Sequence, residues 1–142
     1  MVRWGLALVL LDAVPPGFQA AGPSLLPPPD PKDPELTAMF ESNRRNNDPR
    51  TNLEHLDPAS WTAYDRISGL DVPLWVLVPE QPPRLPAAVD AEKFTAAWNA
   101  GQRRLAGLSS DSHLVTAEGA DSLIWLWRLD LMLSTVAEAL TP

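Results

Sequence analysis

The chain has 142 residues, 45% of them hydrophobic, a formal net charge of -7 and no cysteine. That length suffices for one packed core and sets the expectation of a single domain over residues 1–142. The negative charge opposes the attraction that nucleic acid or an anionic lipid surface requires. The lack of cysteine excludes disulfides, thiolate zinc sites and cysteine nucleophiles together.

Met1, Val2 and Arg3 followed by the apolar run Trp4–Leu11 have the outline of a short secretory signal, but Asp12 closes the run early. Eight apolar residues fall far short of the roughly 20 needed to span a bilayer. Cytoplasmic placement is therefore the expectation, with secretion as the alternative. Residues Leu6–Leu11 are continuously apolar rather than alternating, the pattern of a strand covered on both faces of a parallel sheet. Pro15, Pro16 and Gly17 end that strand, and six prolines from Pro23 to Pro34 predict a surface excursion of polyproline II character. Asp33-Pro34 is a helix start signal, predicting two turns over Glu35–Glu41 that stop in the polar run 42–49. Asp57-Pro58 repeats the signal and predicts a second short helix ending at Gly69. The whole of 23–70 reads as a proline-rich, lid-like insertion.

From Asp71 the texture changes. Leu74–Val78 (LWVLV) predicts a second buried strand bounded by Pro73 and Pro79. Asp90 caps a longer helix whose inward positions are Phe94, Ala97, Trp98, Leu105 and Leu108; Gly101 weakens it by about 1 kcal/mol relative to alanine. His113–Ala117 predicts a third strand, 118–127 a loop, and Leu129, Met132, Leu133, Val136 and Leu140 the apolar stripe of a terminal helix, the face a helix ordinarily turns to its core. Strands separated by helices must run parallel if they share a sheet, so the expected fold is α/β with three parallel strands and helices on both faces.

These segments resemble the C-terminal half of an α/β-hydrolase domain. Gly5–Phe18 (GLALVLLDAVPPGF) resembles the strand after the nucleophile helix, Asp71–Pro79 (DVPLWVLVP) the next strand, and 102–132 (QRRLAGLSSDSHLVTAEGADSLIWLWRLDLM) the last helix-strand-loop-helix unit. The resemblance implies ester or related acyl hydrolysis and no cofactor. It places the acid that orients the catalytic histidine at Glu80, with Asp12 as the alternative, and it aligns Ser122 with the histidine itself. A hydroxyl cannot accept a proton at neutral pH in place of imidazole. The Gly-x-Ser-x-Gly elbow is missing; Gly107-Leu108-Ser109 supplies half of it but ends a helix instead of starting one. The implied chain is hydrolase-like, truncated and inactive alone.

The remaining chemistry-bearing residues have bland readings. His113 precedes its strand, at the wrong end for ligands that bind beyond strand carboxyl ends. His55 lies between Glu54 and Asp57 on a loop, where neighbouring ligands converge poorly, so no metal is expected. Arg44, Arg45 and Arg50 read as a solvated basic cluster. Trp125 and Trp127 either fill a core void or form an exposed patch awaiting a partner. An unpaired edge on the first strand predicts self-association or pairing with a complementary hydrolase half; the alternative function is a non-catalytic binding or assembly module.

Overall fold

A computed structural model describes residues 6–46, 48, 50, 58–81, 83–121 and 123–141. Three strands, β1 (Leu8–Leu11), β2 (Leu74–Pro79) and β3 (Ser112–Ala117), form one parallel sheet in the order β1-β2-β3. Its register pairs Leu8 with Leu74 and Leu74 with Ser112. The central strand is buried on both faces from Leu74 to Leu77, which is why its sequence is unbroken Leu, Trp and Val rather than alternating. Six helices complete the described fold: α1 (Phe18–Leu25), α2 (Pro34–Asn46), α3 (Pro58–Asp65), α4 (Ala91–Ala106), α5 (Ile124–Trp127) and α6 (Leu129–Ala139).

The core has two halves divided by the sheet. On one side Leu74 and Val76 pack with Leu105 and Ala106 of α4, joined by Leu10, Val78 and Leu108. On the other, Trp75 and Leu77 pack with Ala117, Ala120 and Ile124, joined by Val9, Val115, and Leu131 and Ala139 of α6. Alternate residues of β2 thus serve opposite layers, as the period-two pleat requires.

Several helices depart from the sequence reading. A helix covers Phe18–Leu25 and so takes in the first residues of the stretch expected to be irregular, with Pro23 inside it and Gly17 in the left-handed region at φ 78°, while 26–33 holds no helix or strand. Phe18 meets the rings of Phe94 and Trp98 edge-on at 5.5 and 5.0 Å, which docks α1 onto α4. The end of α2 runs through Ser42–Arg45, beyond the predicted stop at Glu41, and Arg44 and Arg45 sit where the helix dipole favours cations. Asp33 caps α2 as predicted, its carboxylate accepting from Leu36 N–H at 2.9 Å. Asp90 does the same for α4 through Lys93 N–H. The predicted cap Asp57 lies outside the described residues, and α3 ends at Asp65, short of Gly69. Ile124–Trp127 forms a single helical turn inside the predicted loop.

The α6 stripe is the largest correction. Of the expected stripe, Leu129, Leu133, Val136 and Leu140 are exposed and Met132 is half-buried, while Thr135 is buried and Leu131 and Ala139 pack, partly buried, against the core. Among the described residues no helix is long and apolar enough to cross a membrane.

Candidate functional site

The carboxyl ends of the three strands converge on one edge of the sheet. Asp12 immediately follows β1, its N–H donating to Leu77 O at 2.9 Å, and its backbone turns into the left-handed region at φ 45°. That conformation is uncommon outside glycine, asparagine and aspartate, so the strand ends here in a bend that few other residues would accept. Burial, reinforced by the charge of Asp121, raises the Asp12 carboxyl from its ordinary 3.8 to about 6.

Glu80 follows β2 and closes a turn at the exposed end of the sheet. Its N–H donates to Ala117 O at 3.3 Å, and its Oε2 accepts from Gly119 N–H at 2.8 Å. Gly119 reaches this position through φ 75° in the turn after β3, which glycine adopts without strain. Gln81 N–H donates to Ala120 O at 3.1 Å, completing a clasp between the ends of β2 and β3. Arg128 holds the far side, donating to Glu118 O at 3.1 Å while bridging both oxygens of Asp130 at 3.0 and 3.1 Å. That bridge lowers the Asp130 pKa. The cleft lined by Glu80, Gln81, Trp98 and Asn99 has a volume near 50 Å³. Ligand pockets for drug-sized molecules run from about 300 Å³ upwards, so this one has room for water and little else.

The sequence-assigned carboxylates, Asp12 and Glu80, therefore lie at the end of the sheet where α/β proteins bind ligands. Ser122 and His55 lie outside the described residues. His113 is the second residue of β3, at the opposite end of the sheet, stacked on Trp75 with ring centres 4.7 Å apart. Ser109 is a structural staple at that same end: its hydroxyl donates to Val72 O at 2.7 Å and accepts from Asp111 N–H at 3.1 Å. Sequence reading missed Asp121 as the charge that acts on Asp12, although both flank strand ends and both are acidic. It left Trp125 and Trp127 open between core and surface; the two residues are 55% and 58% exposed.

A larger apolar groove of about 480 Å³ lies elsewhere, between α1 and α2, lined by Gly22, Pro23, Leu26, Pro27 and Phe40 among others. Its lining holds no titratable group, so acid-base chemistry has no foothold there. No protein family, curated protein or solved structure matches this chain.

Proposed function

We propose that the chain is an α/β-hydrolase-like module that keeps a carboxylate at the family's acid position, Glu80, with Asp12 the alternative, yet does not hydrolyse esters on its own. The observation that carries this reading is the partner of Glu80. Its carboxylate is engaged by the Gly119 N–H, a structural contact, where a hydrolase would have the acid orient an imidazole. Two further features support it: His113 is at the far end of the sheet, and the cleft beside Glu80 is too small for an acyl substrate. An acyl-transfer site needs an activated nucleophile and a base within hydrogen-bond reach of each other, and no such pair is assembled around Glu80 among the described residues.

The decisive assay is hydrolysis of short-chain aryl esters by the purified chain. Turnover is expected to equal buffer alone, and Ser122→His is expected not to raise it. Saturable hydrolysis that disappears in Glu80→Gln would overturn the reading.

A second reading, an assembly module, is favoured by the exposed Trp125, Leu126 and Trp127 next to α6. Large exposed apolar patches on a folded chain mark interaction surfaces.

A further inference from the structure

Away from Glu80 a larger cleft opens between α2 and the connection from β2 to α4, with a volume of about 460 Å³. α2 lends it Glu35, Met39 and Ser42, spaced four and three residues apart and therefore on one stripe of the helix. The facing connection lends Arg84, Leu85 and Pro86. Both walls are held from behind. Leu36, next to Glu35, is buried, and its N–H donates to the Asp33 carboxylate at 2.9 Å. Pro86 is buried as well, and its carbonyl accepts from Val89 N–H at 2.9 Å. The cleft is therefore preformed, and its volume falls within the range of about 300 to 1,000 Å³ typical of small-molecule sites.

The lining joins an apolar surface to two isolated charges. Met39 and Leu85 are half-buried and, with Pro86, supply the apolar surface. Glu35 and Arg84 are exposed and opposite in sign, yet neither pairs with the other or with any other described residue. The geometry points to a binding site for a zwitterion with an apolar body, a free apolar amino acid or a short apolar peptide. Its ammonium meets Glu35, its carboxylate meets Arg84, and its side chain covers Met39, Leu85 and Pro86. The charges select this class. A phosphate ester brings more negative charge than Arg84 can match with Glu35 opposing it. A hydrocarbon strips water from both charged groups and returns no partner to either. A dicarboxylate sets an anion beside Glu35, and a diamine sets a cation beside Arg84. A ligand with one charge of each sign satisfies both walls, and the guanidinium fork suits a carboxylate in particular. The cleft shares no residue with the Glu80 and Asp12 region, so this inference is independent of the hydrolase-like reading.

The test is an NMR titration of the full isotope-labelled chain with L-leucine and, separately, with leucyl-leucine. Saturable shifts are expected at the amides of Met39, Ser42 and Leu85, and the tighter ligand tells a free amino acid from a peptide as the source. Acetylating the amine of that ligand, or amidating its carboxylate, should each weaken binding about threefold to tenfold, as for a charge-assisted contact at a partly exposed site. Glu35→Gln should lose the same factor toward the unmodified ligand and nothing further toward the acetylated one. Arg84→Gln should behave in the same way toward the amidated ligand. Both side chains are exposed, so circular dichroism of the variants should match the parent, and the modified ligands test the same contacts on the unaltered chain. No saturable shift with either ligand, shifts confined to residues outside the cleft, or modified ligands that bind as tightly as the parent ones would each overturn the inference.

Discussion

Asp12 joins a left-handed backbone to a partly buried carboxyl, and asparagine separates the two, since it tolerates the same φ without the charge. The folded carboxyl titrates near 6 and the unfolded one near its ordinary 3.8. The folded state therefore holds this proton more tightly. Its contribution to stability is fully present below the unfolded value and is lost as pH rises through the folded one. Asp12 remains partly open to solvent, and after allowing for screening the loss is about 1 to 2 kcal/mol. Urea unfolding of Asp12→Asn should show a gain of that size at about pH 8, shrinking steadily towards about pH 4. Gly101 makes the contrary case. Helix propensity alone favours Gly101→Ala by about 1 kcal/mol, but an added Cβ would lie 2.7 and 2.8 Å from the ring carbons of Pro15. The substitution should therefore destabilise, by about 1 to 3 kcal/mol as overpacking does, measured by the same unfolding curves. The helix was legible from its periodicity; the reason for its glycine was not, because Pro15 comes from a turn more than eighty residues away in sequence.

At the level of elements, legibility followed how local the deciding interaction is. β2 and α4 were readable because their signals are their own: bounding prolines for one, the Asp90 cap and apolar spacing for the other. α1 was not, because Phe18 becomes helical by packing on Phe94 and Trp98 of an element not yet formed in the sequence order. In α6 the periodicity identified an apolar flank but could not say which flank meets the sheet. The flank that carries Leu131, Thr135 and Ala139 packs on the core, and the leucines of the opposite flank stay exposed. Enlarging the inward flank with Ala139→Leu should cost about 1 to 3 kcal/mol in unfolding free energy. The clasp at the candidate site tests the same point, since Glu80→Gln keeps the shape but weakens a charge-assisted bond to the Gly119 N–H. A loss of about 1 kcal/mol is expected by thermal unfolding. The carboxylate positions were visible in the sequence, but the bond to Gly119 links residues 39 apart and had no local signature.

For the whole molecule, the alternation of strands and helices was enough to predict a parallel sheet, and the β1-β2-β3 order follows the tendency of consecutive elements to lie side by side. The sequence reading expected an open edge on the first strand, and β1 lies at one margin of the sheet. Leu8 at the start of β1 donates its N–H to Pro73 O just before β2, and Asp12 just after β1 donates to Leu77 O, so in a parallel ladder the N–H groups of Val9 and Leu11 point to the other side. The placement of β2 between its two neighbours also sets an order of assembly. Joining β1 to β2 closes the 12–73 connection, about twice the length of the 80–111 connection that joins β2 to β3. The extra closure entropy is only about 0.6 kcal/mol, but β1 is also the shortest strand and has one neighbour. The unit β2-α4-β3 should therefore form first and accept β1 last. Amide exchange on the folded chain should show it, with Val76 and Leu77 exchanging slowest and Leu8 and Leu10 opening well before global unfolding.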